Sequence, residues 1–245
     1  MSELTLVALD GIPEVTAGDD LPAMIAAALG ATGIGLEKDD VLVVTQKVVS
    51  KAEGRTVELA SVKPSALAVD WAERWDKDPR QVELVLRESA SIVRMAEGGL
   101  IISRTRHGLV CANAGVDLSN VGEGDVATLL PLDPDISASR LSDALGAPVI
   151  ISDSFGRPWR NGIVNVAIGV AGLEPLLDLR GQPDASGRIM QSTVVAVADE
   201  LASAADLAGG KTAQRPVVLI RGYDWRPARG SGTSLVMEPE RDLFP

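Results

Sequence analysis

Runs of apolar residues, separated by polar turns, divide the chain into segments of strand or helix length. Near-continuous apolar runs with many β-branched residues predict buried strands over residues 41–50 and 147–152. A short strand that ends in a turn is predicted over residues 4–13, and further strands are predicted over residues 91–95, 100–103, 107–117, 126–130 and 216–222. Helical spacing and capping residues predict helices over residues 21–33, 64–75, 78–90, 135–145 and 192–207.

Polar, glycine-rich and proline-rich segments lie between these elements. Turns or loops are predicted over residues 113–124 and 154–162, and a hairpin is predicted between the strands at 100–103 and 107–117. Residues 226–245 form a Gly/Pro/Ser-rich tail that we expect to be mobile. Neither an internal repeat nor a low-complexity linker interrupts the sequence, so a single domain is expected.

Composition narrows the fold class and the range of partners. Apolar residues make up 46% of the chain and aromatic residues only 3%. The core is therefore aliphatic, which favours an α/β or mixed α+β protein. A net charge of −11 argues against nucleic acid or an anionic membrane as a partner, since both require a basic surface. Because a signal peptide and a membrane-length apolar run are lacking, we expect a cytoplasmic protein.

Cysteine and histidine are almost absent, which limits the kind of metal site. The one cysteine, Cys111, lies in a predicted strand and is expected to be structural. The one histidine, His107, is expected to be a polar loop residue, with a role as a general base as the alternative. Zinc sites built from several such residues are therefore excluded. Any metal would be held by oxygen ligands, which indicates magnesium, manganese or calcium.

Asp153 comes immediately after a predicted buried strand, where a rigid scaffold can position a ligand. Together with Ser154 it offers two hard oxygen ligands to a divalent ion. Arg157 and Arg160, with Asn161 beside them, could grip a phosphate or a carboxylate, because the arginine side chain can form two parallel hydrogen bonds. The alternative is an aspartate in a turn that bonds its own backbone.

Asp117 also follows a predicted strand, and Asn120 lies close beyond it. If the two strands are neighbours, Asp117 and Asp153 could converge on one ion with Asn120 nearby. Otherwise Asp117 and Asn120 are local hydrogen-bonding groups in a glycine-flanked turn. The sequence alone leaves both readings open.

Lys47 and Lys51 lie in and just after the strand predicted over residues 41–50. A lysine at a strand end can neutralise a triphosphate as a point charge, although a surface position is the alternative. The GGKT segment at residues 209–212 lacks the glycine spacing of a Walker A loop. A nucleotide would therefore need a different scaffold.

Six motifs lie in order along the chain: DGIPEVTAGDDL, VVTQKVVSKAEG, HGLVCANAGVDLSNVG, IISDSFGRPWRNG, VAVADELASAADL and PVVLIRG. In that order they resemble the coenzyme F-420 γ-glutamyl ligases. The resemblance covers nearly all of residues 1–245 and looks nearest to the domain that actinobacteria fuse to a flavin-binding, nitroreductase-like domain. We expect that second domain and its flavin to be absent. The resemblance implies an α/β fold with mixed sheets and a homodimer with the nucleotide site near the subunit interface.

The resemblance also implies roles for residues that match the family motifs. Asp117 and Asp153 would hold the first divalent ion, magnesium or manganese, and Ser154 would contact a second ion. Asp117, Asp153 and Lys51 would be the catalytic residues. The implied contacts to GTP come from several segments, namely Ile12, Pro13, Glu14 and Val15, then Gln46 and Lys51, then Asn120, and finally Gly210 and Lys211.

The activity implied by the resemblance is the addition of L-glutamate to coenzyme F-420-0 through an acyl phosphate, with GTP as cosubstrate. A monovalent cation is a further possible cofactor. Arg157, Arg160 and Asn161 are candidates for binding a substrate carboxylate or phosphate. Two other functions remain open: an amide ligase that acts on another carboxylate metabolite, and a GTP-binding regulatory dimer.

Overall fold

A computed structural model describes residues 3–118 and 125–242 of the chain. The helices are α1 (Leu21–Thr32), α2 (Gln46–Ala52), α3 (Ala66–Trp75), α4 (Pro79–Glu88), α5 (Pro134–Leu145) and α6 (Val197–Gly209). The strands are β1 (Thr5–Ala8), β2 (Val41–Thr45), β3 (Thr56–Glu58), β4 (Ser89–Met95), β5 (Ile101–Thr105), β6 (Val110–Ala112), β7 (Val126–Thr128), β8 (Val149–Arg157), β9 (Arg160–Ala171), β10 (Leu177–Asp178), β11 (Val194–Val195) and β12 (Val217–Arg221).

A five-stranded mixed sheet forms the centre of the molecule, in the order β1-β12-β2-β8-β9. Only β2 and β8 pair in parallel, and the other neighbours are antiparallel. Alternate side chains of these strands enter two different cores because successive residues in a strand point to opposite faces. One core joins the sheet to α1, α2 and α5, and the other joins it to α6. The expected mixed α/β class is confirmed.

A second, smaller group of elements has its own core. The three-stranded sheet β4-β5-β6 and the pair β3-β7 lie with α3 and α4 around a cluster of buried aliphatic residues. Trp71 is buried in this cluster and its ring centroid lies 5.9 Å from that of Trp75. The two tryptophans, four residues apart on α3, are thus packing residues. The predicted β5–β6 hairpin is also present.

The strand predicted over residues 41–50 is wrong in its second half. β2 ends at Thr45, and Gln46–Ala52 is helix α2. The β-branched pair Val48 and Val49 made this segment look like a continued strand. Val49 instead packs into the core from the helix. Tertiary packing has overridden local β-propensity, and Lys47 and Lys51 therefore lie on a helix.

The loop predicted over residues 154–162 is also wrong. β8 continues to Arg157, and β9 begins at Arg160, so the two strands form a long antiparallel hairpin. Trp159 in the turn has φ +58° and is 82% exposed. Polar and glycine residues suggested a loop here, but backbone pairing along the projecting arm does not need apolar side chains. Asp153 is consequently inside a strand and not after its end.

Other boundaries differ from the expectations by smaller amounts. The single strand predicted over residues 107–117 is shortened to β6, followed by a 3-10 turn at Asn113–Gly115. α6 begins at Val197, five residues after its predicted start. Asp20 caps α1 by accepting a hydrogen bond from the Ala23 backbone N–H at 3.0 Å.

The C-terminal tail packs onto the sheet, in contrast to the mobile tail expected. Ser231 Oγ and the Gly232 backbone N–H donate hydrogen bonds to Asp135, both at 2.6 Å, and Gly232 is buried. A Cβ at Gly232 would lie 2.6 Å from the Ile168 carbonyl oxygen, so this close approach needs glycine.

Within the described residues, none of the helices is long and apolar enough to cross a membrane.

Candidate functional site

One edge of the five-stranded sheet gathers segments that are distant in sequence. β2 and β8 are parallel, so both strands run toward this edge. β12 is antiparallel to β2 and β1 is antiparallel to β12, so β12 begins and β1 ends there. The loop after β1, the start of α2, the middle of β8 and the loop before β12 therefore converge. Edges of this kind commonly carry ligand sites in α/β proteins.

The loop after β1 contains the predicted nucleotide-binding segment Ile12, Pro13, Glu14 and Val15. Val15 is buried in the core and Ile12 packs against it, so their side chains anchor the loop. The Glu14 side chain is largely exposed and accepts an ion-pair hydrogen bond from Lys51. This contact ties the loop to α2.

Helix α2 presents two ammonium groups one turn apart, because Lys47 and Lys51 are spaced by four residues. Lys47 Nζ lies 2.8 Å from Asp117 Oδ2, and Lys51 pairs with Glu14. The Gln46 side chain is buried, and its Oε1 accepts a hydrogen bond from Ser50 Oγ at 2.8 Å. Gln46 therefore faces inward, while the lysines face acidic residues.

Asp117 is held in place by its backbone. Its N–H donates to the Thr128 carbonyl at 3.0 Å, and its carbonyl accepts from the Thr128 N–H at 2.8 Å. The Asp117 side chain remains about one third exposed and reaches Lys47. Asn120, the predicted nucleotide contact nearby, lies outside the described residues.

The Asp153 carboxylate at this edge is strongly perturbed by its surroundings. Burial raises the pKa of its carboxyl to about 6, and the charge of Asp117 adds to the rise. A backbone hydrogen bond from Ser154 and the ammonium groups of Lys211 and Lys47 oppose it. The structure thus brings the two predicted metal-binding aspartates into electrostatic contact, although 36 residues separate them in sequence.

Ser154 follows Asp153 in β8, so the two side chains point to opposite faces of the strand. Ser154 Oγ donates a hydrogen bond to Asn165 Oδ1 at 2.8 Å and accepts one from Lys211. This alternation does not favour the expectation that Asp153 and Ser154 offer adjacent ligands to one ion. Lys211 stands in the loop after α6, next to Gly210, which ends the helix with φ +70°.

The predicted substrate-binding residues of the β8–β9 hairpin do not join this cluster. Arg157 lies four residues beyond Asp153 along an extended strand, roughly 13 Å away. Its guanidinium donates to the Asn161 carbonyl and thus folds back on the hairpin turn. Arg160 pairs with Arg157 across the ladder. Arg157, Arg160 and Asn161 therefore belong to the exposed arm.

His107 contacts a loop, whereas Cys111 lies close enough to Asp153 for the charge of that carboxylate to act on its thiol. His107 Nε2 is 2.9 Å from the Pro131 carbonyl oxygen, so the ring helps to hold that loop. Cys111 is buried in β6, and burial raises the pKa of its thiol to about 12. The predicted position of Cys111 in a buried strand is confirmed, and a thiol with this pKa is a poor nucleophile at neutral pH.

Asp117 and Asp153 fit a hard divalent ion. Carboxylate oxygens are the ligands that magnesium and manganese prefer, and one or two carboxylates plus substrate phosphates usually suffice for magnesium. The mutual repulsion that raises the pKa of Asp153 would be relieved by a cation between the two groups. The two carboxylates would need further ligands from the substrate, because the described part of the chain has no group of three or more His, Cys, Asp or Glu residues that could hold a metal.

A sequence model described as F420-0:Gamma-glutamyl ligase matches residues 11–222. The chain belongs to the F420-0:gamma-glutamyl ligase family. The resemblance inferred from the six motifs is confirmed, and the matched range includes the sheet edge and both aspartates.

Curated relatives extend the match to the full length. The chain is 48% identical over 250 residues to "Coenzyme F420:L-glutamate ligase" of Methanothermobacter thermautotrophicus, over 98% of each chain. It is 43% identical over 258 residues to the protein of the same name from Methanopyrus kandleri, over 100% of each chain. A third such ligase, from Natronomonas pharaonis, is 42% identical over 96% of this chain and 92% of its own.

Two polar residues at the site of this F420-0:gamma-glutamyl ligase family member escaped sequence reasoning. Asn165 lies opposite Ser154 in β9 and accepts a hydrogen bond from Lys211 at 2.8 Å. Asp206, in the last turn of α6, lies 3.1 Å from Lys211 Nζ. Only the pairing of β8 with β9 and the docking of α6 bring these groups together, so no local signal in the sequence marks them.

Proposed function

We propose that this chain joins L-glutamate to coenzyme F420-0 through an amide bond, using GTP and a divalent ion, magnesium or manganese. The observation that carries the proposal is the pair Asp117 and Asp153, whose charges interact at the sheet edge beside Lys47. Family membership supports the acceptor and the amino acid, because the relatives named above are F420:L-glutamate ligases.

The proposed reaction proceeds in two steps. A carboxylate oxygen of F420-0 forms a bond to the γ-phosphorus of GTP, the bond to the β-phosphate oxygen breaks, and GDP leaves. The glutamate amine then attacks the acyl carbon of this acyl phosphate, loses a proton, and expels inorganic phosphate. Each step brings negatively charged or electron-rich groups together, so the site must supply positive charge.

The residues at the sheet edge suit that requirement. Asp117 and Asp153 would hold the divalent ion, which supplies charge neutralisation to the triphosphate when bound. Lys47 and Lys51 place two ammonium groups on one helix beside it. Lys51 reaches the loop of Glu14, which suggests that this lysine positions the loop against the nucleotide.

The remaining nucleotide contacts in the proposal come from the loops at the same edge. Ile12, Pro13 and Val15 offer backbone groups, since the side chains of Ile12 and Val15 are engaged in the core. Gly210 and Lys211 approach from the opposite side of β8. The substrate role of Arg157, Arg160 and Asn161, the contact of Asn120, the homodimer and a monovalent cation stay predictions.

The test is a reconstituted reaction with F420-0, L-glutamate, GTP and Mg²⁺ or Mn²⁺. We expect sustained GDP release, beyond one equivalent per site, only when all four are present, with a product heavier by one or more glutamate residues. Removal of the ion with EDTA abolishes turnover, and its addition restores it. Sustained GDP release in the absence of F420-0 or of glutamate, or a product formed without nucleotide, contradicts the proposal.

The same assay separates the two other functions. A preference for a different carboxylate in competition with F420-0 indicates a related amide ligase. Tight GTP binding without GDP release, in the presence of glutamate and every acceptor tested, indicates a regulatory dimer. Light scattering measures the oligomeric state independently.

A further inference from the structure

The ammonium group of Lys211 occupies a position surrounded by oxygen atoms. Its Nζ donates hydrogen bonds to Ser154 Oγ and to Asn165 Oδ1, the latter at 2.8 Å, and lies 3.1 Å from Asp206 Oδ1. A lysine ammonium has three N–H donors. Hydroxyl, amide and carboxylate oxygens therefore match its donors one for one, and this set of ligands resembles what a small cation would require.

The local backbone fixes this ammonium in place. Gly210 ends α6 with φ +70°, a left-handed conformation that glycine adopts readily, and turns the chain so that Lys211 reaches β8. Asp206 belongs to the last turn of α6, where the helix dipole also favours a positive charge. Lys211 is thus held by the helix end, by Ser154 and by Asn165.

A divalent ion on Ser154 would conflict with this arrangement. The Ser154 hydroxyl already donates to Asn165 and accepts from Lys211. A divalent ion that used the remaining lone pair would stand within a few ångströms of the ammonium, and the two positive charges would repel each other. The second-ion role that the family resemblance implies for Ser154 therefore does not fit the residues present.

The positive charge of Lys211 also reaches Asp153 on the other face of β8. It is one of the groups that oppose the rise in the pKa of Asp153. The ammonium at Ser154 and an ion held by Asp117 and Asp153 would therefore both act on the negative charge at Asp153, from opposite faces of β8.

We propose that the Lys211 ammonium takes the place of a second metal ion at Ser154, so that each chain binds one divalent ion. The inference rests on the proposed function, because it takes Asp117 and Asp153 as the site of that one ion. Lys211 then acts as a permanent cation toward the triphosphate, and its contribution does not depend on metal concentration.

The test counts Mn²⁺ ions per chain in the presence of a non-hydrolysable GTP analogue, by calorimetry and by electron paramagnetic resonance. We expect one Mn²⁺ in the wild-type protein. Lys211→Gln removes the charge and supplies an amide oxygen, so we expect a second Mn²⁺ whose signal couples to the first. Lys211→Arg retains a cation and should keep one ion. Lys38→Gln, at an exposed lysine away from the site, is the matched control.

Ser154→Ala gives an independent measurement that does not require any change at Lys211. If Ser154 holds no ion, the count stays at one and the Mn²⁺ affinity changes by less than about threefold, a surface-contact effect. Two ions in the wild-type protein overturn the inference, as does a single ion in folded Lys211→Gln. Loss of an ion in Ser154→Ala also overturns it. Absence of any bound Mn²⁺ in the wild-type protein contradicts the proposed function instead.

Discussion

Asp135 at the start of α5 and Asp153 in β8 are both half-buried, yet the fold treats their charges in opposite ways. Asp135 accepts hydrogen bonds from Ser231 Oγ and from the Gly232 N–H, both at 2.6 Å. Burial alone would raise the pKa of Asp135, but these bonds outweigh it and the pKa is lowered. For Asp153 burial prevails, and the neighbouring charge of Asp117 brings its pKa to about 6.

The difference separates a structural carboxylate from a candidate ligand. The carboxylate oxygens of Asp135 accept hydrogen bonds from the tail and from the Val170 N–H, the latter at 2.9 Å, so the protein itself stabilises its charge. Asp153 has its charge destabilised by the protein, which a bound cation would correct. Carboxylates perturbed in this way are concentrated at functional sites.

The largest effect that tests this comparison is the loss of turnover in Asp153→Asn. The variant keeps the shape of the side chain but removes a charge that the ion requires. We expect kcat for glutamate addition to fall by at least about a hundredfold, which corresponds to roughly 3 kcal/mol of transition-state stabilisation. Stability should be unchanged or raised, because a destabilised charge is removed. Near-normal turnover in a folded variant would disprove the role of Asp153.

Asp135→Asn should give the opposite result and serves as the matched variant. The amide cannot accept all of the hydrogen bonds from the tail, so we expect the free energy of unfolding to fall by roughly 3 kcal/mol. For a domain of this size the melting temperature would drop by roughly 6–12 °C. Turnover per folded molecule should stay within about threefold of wild type. Unchanged stability would show that the tail does not depend on this carboxylate.

The two aspartates also predict opposite dependences of stability on pH. Asp153 binds its proton more tightly in the folded protein, where its pKa is about 6, than in the unfolded chain, where the ordinary value is 3.8. Its protonation therefore stabilises the fold below about pH 4, and this stabilisation is lost as the pH rises through 6. Asp135 has a lowered pKa, so its contribution is present above pH 3.8 and is lost at lower pH.

The two opposite dependences of stability on pH can be measured by thermal unfolding of wild type, Asp153→Asn and Asp135→Asn between pH 3 and pH 7 without divalent ions. Relative to Asp153→Asn, the wild-type protein should lose roughly 2 kcal/mol between pH 4 and pH 7, after allowance for solvent screening. Mg²⁺ should reduce that loss, because the ion binds the charged carboxylates. A wild-type protein that gains stability over this range, relative to Asp153→Asn, would contradict the raised pKa.

The sequence predicts the fold class and most elements because apolar spacing is a local signal. It misses α2, where Val48 and Val49 imitate a strand, and the β8–β9 arm, whose polar residues imitate a loop. In both cases the deciding contacts are not local: α2 packs its valine into the core, and the arm is held by pairing between two strands.

For the site, the sequence supplies the residues but not their arrangement. Positions near predicted strands and the family motifs pair Asp117 with Asp153, whereas their proximity depends on the contact of β6 with β8 and on the bridge between Asp117 and Thr128. The Lys211 contacts with Asn165 and Asp206 could not be predicted, because they depend on sheet register and on where α6 ends. The identity of a candidate site residue can be read from its own segment of sequence. The charges that surround it come from distant segments, and the topology of the sheet decides which of them lie nearby.

Lys47→Gln should give the smallest effect of these variants. It tests whether Asp117, the other carboxylate proposed to hold the ion, is shared between Lys47 and the ion. Lys47 Nζ lies 2.8 Å from Asp117 Oδ2, so its ammonium competes with a divalent ion for that oxygen. A partly exposed ion pair of this kind is worth about 1 kcal/mol or less. We therefore expect Mn²⁺ affinity to rise by about fivefold or less at low salt, and the difference from wild type to shrink at high salt because the pair is screened. Lys38→Gln should leave the affinity unchanged. A fall in Mn²⁺ affinity on removal of Lys47 would mean that the lysine orients Asp117 for the ion and does not compete with it.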